Sequence, residues 1–262
     1  MDILVFVKQV PDDFVEVHLD AETKTPATSG IEHVNNAFDT YAVELAVRYC
    51  AENGGSVTVA ALGEENAKNN MKNLLAVGAK KAFLFSCLPL DTADESSIAQ
   101  YLAAAVKKCE IENGAKYGMI FCGKESTDEI SGQVGAMLAE KLKLGFVSSV
   151  IEVSSCNLLL TAKQETEDGY ALYETQSPAV FTIAKPGYDP RYPTIKSKMM
   201  ARKAEIPVFS AQAAAIEKAS SYVICKSYAE PPKRAAGVRI QEKIAADAAL
   251  KAVATMLSDK VL

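Results

Sequence analysis

Tyr117-Gly118-Met119-Ile120-Phe121-Cys122-Gly123-Lys124-Glu125-Ser126-Thr127-Asp128-Glu129-Ile130-Ser131-Gly132-Gln133-Val134-Gly135-Ala136-Met137-Leu138 passes from an apolar run through a hydroxyl-rich loop into helix-forming residues. Strand, polar loop and helix in that order aim backbone N–H groups at the space beyond the strand, where an anion can sit. The spacing from Gly118 to Gly123-Lys124 imitates a phosphate-binding P-loop, but Glu125 stands where Ser or Thr would hold magnesium, and the four intervening residues are strand-like. A P-loop is therefore rejected. The later glycines, Gly132 and Gly135 around Gln133-Val134, offer another cradle: they allow close approach of a pyrophosphate or ribose at a helix start, with Ser126 and Thr127 as hydroxyl donors. A plain, well-capped βα loop would look similar from these residues alone. Asp128 would repel a phosphate and is expected to cap the helix or turn away.

The same rhythm extends in both directions. Ile3-Leu4-Val5-Phe6-Val7 reads as a strand buried on both faces, stopped by Lys8-Gln9-Val10-Pro11-Asp12. Residues 15–19 alternate apolar and polar and predict an edge hairpin. Asn35-Asn36-Ala37-Phe38-Asp39 opens a helix with Tyr41, Ala42, Leu45, Ala46 and Tyr49 at helical spacing, ending near Gly54. A strand over 57–62 leads to Gly63 and a helix over 66–77; a strand over 82–85 leads to a helix over about 95–110. The result is an α/β fold, Rossmann-like, with a right-handed, doubly wound, mostly parallel sheet between two helical layers and a C-terminal extension. Ligands of such sheets lie beyond the carboxyl ends of the strands, here Lys8-Gln9, Leu62-Gly63 and residues 123–127. Asn36 and Asp39 either cap their helix or hydrogen-bond a ribose or adenine edge at this rim.

After Leu144 the period shifts toward strands over 146–153, 158–162, 170–174 and 179–183, with a turn at Glu167-Asp168-Gly169. Pro186-Gly187, Pro190 and Pro193 then mark an exposed loop, followed by a short helical turn in the basic run 196–203. That run is either a solvated turn or a docking element with Ile195, Met199 and Met200 as apolar anchors. The domain is expected to span residues 1–203, including a partner-recognition loop over 187–203. Residues 204–262 form an arm, with segments 211–219 and 222–227, Pro231-Pro232 and an amphipathic helix over about 240–257, suited to packing on another subunit as readily as on its own domain.

Composition narrows the function. The 262 residues are 49% apolar and 23% charged, which is globular, and the net charge of -5 gives no general basic field for nucleic acid. Six cysteines, at 50, 87, 109, 122, 156 and 225, contain no Cys-x-x-Cys pair and suit a reduced, cytoplasmic protein. No apolar run approaches the roughly 18–20 residues of a membrane span, and the start carries no cationic signal-peptide region. With two histidines and no Cys/His cluster, no protein-held metal site is expected. No Ser/His/Asp or Cys/His nucleophile set presents itself, so no catalytic side chain is assigned.

Several segments together resemble the β subunit of the electron-transfer flavoproteins: Val7-Lys8-Gln9-Val10-Pro11-Asp12, Asn36-Ala37-Phe38-Asp39 with Ala42-Val43-Glu44, Gly123-Lys124-Glu125-Ser126-Thr127-Asp128 with Gly132-Gln133-Val134-Gly135, and Met200-Ala201-Arg202-Lys203-Ala204-Glu205-Ile206-Pro207. The resemblance implies one half of an αβ heterodimer whose α subunit carries a redox FAD, while the β subunit holds FAD or AMP. Phe6, Val7, Lys8, Asn36, Asp39, Leu62, Gly63, Gly123, Lys124, Ser126, Thr127, Gly132, Gln133, Val134 and Gly135 would then surround the nucleotide. Tyr192, Ile195 and Met199 would enter a flavin dehydrogenase of the acyl-CoA, enoyl-CoA or 2-hydroxy-acid type, and the arm would wrap the α subunit. With FAD, the resemblance is to the bifurcating members, which take a hydride from NADH and divide the electrons between ferredoxin or flavodoxin and the α-subunit FAD. Val134, where carriers commonly have threonine, favours this type. With AMP the chain would be a structural half of a one-electron carrier. The Glu125-Ser126-Thr127 loop departs from the family's commoner Gln-Ala-Ile, and Ala136 replaces a frequent proline. Outside the family, the same fold would serve an adenine-nucleotide sensor or assembly module.

Overall fold

The computed structural model describes residues 1–86, 90, 93–230, 232 and 236–261. Cys87 and Pro231 lie outside the described residues.

The chain begins with β1 (Ile3–Phe6), then a small antiparallel pair, β2 (Gln9–Pro11) with β3 (His33–Asn35), and α1 (Ala37–Asn53). Two βα units follow: β4 (Val57–Leu62) with α2 (Ala67–Val77), and β5 (Lys81–Ser86) with α3 (Glu95–Asn113). Next come β6 (Met119–Gly123), α4 (Val134–Leu142) and the strands β7 (Gly145–Cys156), β8 (Leu159–Thr166), β9 (Gly169–Gln176) and β10 (Ala179–Ile183). The last elements are α5 (Ile195–Lys203), β11 (Val208–Ser210) and α6 (Ala245–Ser258).

Nine of these strands make one sheet in the order β11-β5-β4-β1-β6-β10-β7-β8-β9. It is parallel from β11 to β7, and β8 and β9 extend it as an antiparallel meander. Side chains alternate across β1: Ile3, Val5 and Val7 join the core under α1 and α2, whereas Leu4 and Phe6 join the core under α3 and α4. A parallel strand buried on both faces is apolar at nearly every successive position, which is why these strands read as near-continuous hydrophobic runs, with Thr58 in β4 and Thr182 in β10 as buried exceptions. The expected three-layer α/β/α arrangement is what the chain adopts. Among the described residues no helix is long and apolar enough to cross a membrane.

Three local features differ from expectation. Residues 15–19 form no strand; they meet their return only at a single Leu19–Pro26 bridge, with Phe14 98% exposed. Alternation alone does not hold a strand without a neighbouring face to bury it. The antiparallel pairing instead falls at β2 and β3, on the segment expected only to end β1. The C-terminal amphipathic helix, expected from about residue 240, begins at Ala245.

Residues 204–219, assigned by sequence to the arm, contribute to the domain. Val208–Ser210 supplies the edge strand beside β5, and Ile206, Ala214 and Ile216 are buried. Beyond them the described residues are largely exposed, and α6 buries none of its residues while presenting Leu250, Val253, Met256 and Leu257 to solvent.

Candidate functional site

The chain leaves β1 toward β4 and β5 on one side, then returns past β1 to place β6, β10 and β7 on the other. The carboxyl ends of β1 and β6 are therefore the topological switch point, where the two connections part and open a crevice. Phe6-Val7-Lys8 ends one wall and Gly123-Lys124 the other; Leu62-Gly63 at the end of β4 extends the rim.

Asp39 holds the two walls together. Its Oδ2 accepts the Lys8 N–H at 2.7 Å and its Oδ1 the Gly123 N–H at 2.9 Å. One turn earlier, Asn36 fixes the loop after β6: its Nδ2 donates to the Glu125 carbonyl at 2.9 Å and its Oδ1 accepts the Thr127 N–H at 3.2 Å. Helix capping, one of the two expected roles, does not describe these bonds. Asn36 is the N-cap residue of α1 yet makes no side-chain cap hydrogen bond. Both side chains are buried and engaged by the protein, and they fix the loops that form the rim. Burial pushes the Asp39 carboxyl up to about 7, against the two N–H donors and the Lys8 charge, which favour ionisation.

The loop after β6 is braced by charge. Lys8 Nζ lies 2.9 Å from Asp128 and 3.0 Å from Glu129, and 3.4 Å from Ser126 Oγ. Asp128 thus turns toward Lys8 and does not cap α4. Gln133, the N-cap residue of α4, makes no side-chain cap, and among the described residues the first N–H groups of the helix are left for another acceptor. Thr127 places a buried hydroxyl oxygen here with no hydrogen-bond partner.

The glycines divide by cause. A Cβ on Gly123 would press on Asp39 Oδ1 and come within 2.8 Å of Phe38 Cβ, and one on Gly135 would strike Thr182 Cγ2, so these two are required by the packing of the protein itself. Gly132 adopts a left-handed backbone with φ of 62°, which turns the loop into α4. Gly63 is different: a Cβ there would meet only Ala67 Cβ at an ordinary 3.8 Å, leaving open space at the rim.

The second group of expected residues lies apart, on α5 and the loop before it. Tyr192 is 93%, Ile195 82% and Met199 59% exposed, beside Met200. Ala201 is the buried residue of this helix. Ile195, Lys196, Met199, Met200 and Lys203 line a shallow depression. An outward-facing apolar strip ringed by lysines is the reverse of an ordinary solvent face and suits a partner surface.

Sequence reasoning missed the ion network between these two places. Glu44, 2% exposed on α1, accepts Arg48 Nε at 2.5 Å and Arg191 Nε at 2.8 Å. The Arg48 guanidinium also stacks 3.8 Å over the Tyr188 ring. A carboxylate set inside the run Ala42-Val43-Glu44-Leu45-Ala46 was the available signal, because a charge on an apolar face must be paired.

Comparison with known proteins finds relatives along most of the chain. The family model described as "Electron transfer flavoprotein domain" matches residues 24–214. The electron transfer flavoprotein subunit beta of Megasphaera elsdenii is 33% identical over 245 residues, covering 91% of this chain and 90% of the relative. Subunit CarD of the caffeyl-CoA reductase-Etf complex of Acetobacterium woodii is 32% identical over 80% of this chain and 78% of its own. The acryloyl-CoA reductase electron transfer subunit gamma of Anaerotignum propionicum is 30% identical over 92% of both. With a doubly wound sheet, a crevice at its switch point and relatives aligned over nearly their full length, the chain belongs to the electron transfer flavoprotein family, among its β subunits.

Proposed function

We propose that the protein is the β subunit of a bifurcating electron transfer flavoprotein, binding FAD at the β1–β6 crevice and accepting a hydride from NADH. Electrons then divide between ferredoxin or flavodoxin and, through the FAD of an α subunit, a flavin dehydrogenase. The observation that carries the nucleotide assignment is the uncapped N-terminus of α4, reached by a loop that also carries the buried, unpartnered hydroxyl of Thr127. A phosphate-bearing nucleotide fits both, since it brings acceptors to free N–H groups and a polar partner to an orphaned oxygen.

When bound, FAD supplies the hydride acceptance and the one-electron chemistry. The protein's own part is to bind and orient. The α4 amides and Gly132-Gln133-Val134-Gly135 would hold phosphate, Ser126 and Thr127 would add hydroxyls, and Lys124 would add charge. Phe6, Val7 and Leu62 would exclude water from the adenosine end, with Gly63 leaving room for it. Asn36, Asp39 and Lys8 would keep the walls in register. The Acetobacterium and Anaerotignum relatives, subunits of a caffeyl-CoA reductase-Etf complex and of an acryloyl-CoA reductase, support a CoA-ester reductase as the destination of the electrons. The exposed apolar face of α6 supports the arm as the contact with an α subunit.

The test is to purify the αβ complex, release its nucleotides and count them. Two FAD per heterodimer, with rapid flavin reduction on mixing with NADH, is the expected result. One FAD and one AMP without NADH chemistry would replace the proposal with a one-electron carrier. A stable nucleotide-binding chain with neither flavin nor α partner would point instead to a sensor or assembly module.

A further inference from the structure

We propose that Glu44 is the positioning residue of the docking face, holding Arg191 so that Tyr192 and Ile195 are presented to a flavin dehydrogenase through an apolar pocket with an acidic rim. The inference rests on the reading of α5 as a partner surface, and adds to it the side chain that sets its pose.

The segment between β10 and α5 has no regular structure and carries Pro186, Pro190 and Pro193. Its start is held by the Ala184 N–H to the Val150 carbonyl at 3.0 Å, and its end by Thr194, whose hydroxyl caps α5 at the Ser197 N–H. Among the described residues, the hydrogen bonds that tie residues 185–193 to the rest of the domain end on Glu44. Arg191 donates to it three times: the backbone N–H to Oε2 at 3.2 Å, Nε to Oε2 at 2.8 Å and Nη2 to Oε1 at 3.1 Å. A two-pronged guanidinium–carboxylate pair fixes direction as well as distance, which a lysine in the same place would not do.

Glu44 is a fixed point because it belongs to α1, whose neighbours Val43, Leu45 and Ala46 are packed in the core. Arg48 on the same helix engages Oε1 and stacks over Tyr188, so the buried carboxylate is held from two sides. At the far end α5 is secured by buried Ala201 and by Lys72 Nζ on the Arg202 carbonyl at 3.1 Å. Both ends of the docking face are thus tied to the sheet-covering helices. Exposed apolar anchors lose less freedom on binding when their backbone is already held, so this pairing acts on affinity. Lys196, Lys198, Arg202 and Lys203 around the anchors specify the acidic rim.

The experiment uses the αβ complex with an FAD-loaded acyl-CoA dehydrogenase as probe, comparing wild type with Glu44→Gln, Arg191→Met, Arg191→Lys and the Glu44→Gln/Arg191→Met double variant. The expected result is a KM for the dehydrogenase raised about tenfold in each methionine or glutamine variant, kcat within about twofold, and no further loss in the double variant. Arg191→Lys should fall between. Hydrogen exchange over residues 186–199 should speed up in Glu44→Gln, while the nucleotide content of the complex stays that of wild type. A KM unchanged in Glu44→Gln overturns the inference, as does an equal fall in kcat, which marks general damage. If the wild-type complex passes no electrons to the dehydrogenase, the proposed function fails instead. Exchange then decides the positioning role: unchanged protection of 186–199 in Glu44→Gln overturns it, and lost protection there upholds it.

Discussion

Replacing Asp39 with asparagine removes one acceptor from a site where two backbone N–H groups converge at 2.7 and 2.9 Å. The amide keeps one oxygen for one donor and turns its own N–H₂ toward the other, leaving a buried N–H unpaired at a cost of about 1–3 kcal/mol. A second effect depends on pH. The folded carboxyl is pushed to about 7 by burial, from 3.8 in the unfolded chain. A folded pKa above the unfolded one means that the contribution to stability is complete below pH 3.8 and is lost as pH rises through about 7. Across that window the wild type loses about 1.4 kcal/mol per pH unit from this group, so about 2–3 kcal/mol between pH 5 and pH 7. Asparagine has no such loss. The penalty of Asp39→Asn should therefore be greatest near pH 5 and shrink, or reverse, by pH 8. Urea denaturation of both chains at four pH values measures this, and the difference between them cancels the other titrating groups. A penalty that is constant or that grows with pH would refute the reasoning, because it would mean that Asp39 is ionised throughout.

Three further outcomes follow from the geometry. Thr127→Val removes an unpartnered buried hydroxyl, so the isolated chain should be unchanged or more stable by up to about 1 kcal/mol, while equilibrium dialysis should show weaker nucleotide retention. Gly123→Ala drives a methyl into Asp39 and Phe38 and should cost about 1–3 kcal/mol, whereas Gly63→Ala should leave the melting temperature in place and lower nucleotide content alone. Asp94 caps α3 at the Ser97 N–H (2.9 Å) and also accepts the Tyr222 N–H at 2.6 Å and the Val223 N–H at 3.2 Å. Burial opposes its ionisation, but these donors and the Ser97 hydroxyl outweigh it and hold the carboxyl down to about 2. A folded pKa below the unfolded one places this contribution above pH 3.8 and loses it as pH falls through about 2, so at neutral pH Asp94→Ala should weaken the α3 cap and open residues 219–227 to limited proteolysis.

Much of the fold was legible because it is local. Unbroken apolar runs such as Ile3-Leu4-Val5-Phe6-Val7 and residues 82–85 must be covered on both faces, and Gly54 and Gly78 end helices where φ turns positive, so periodicity and breakers located most βα units. Residues 15–19 misled for the same reason: alternation is a statement about one segment, and no sheet face lies beside it. At the candidate site the sequence placed Phe6, Lys8, Asn36, Asp39, Gly63 and the 123–135 loop on one rim. It did not separate residues that line the rim from residues that brace it.

The sequence by itself determined the α/β layering, the strand ends that form the crevice, the exposed apolar strip on α5 and the family, because each depends on composition and spacing within short windows. Only the tertiary structure decided that β10 enters between β6 and β7, that Asp39 joins Lys8 to Gly123, and that Glu44 reaches Arg191. These contacts join residues up to 147 positions apart, and no periodicity encodes them. They arise when the packed sheet brings buried donors and carboxylates together and burial obliges each to find a partner.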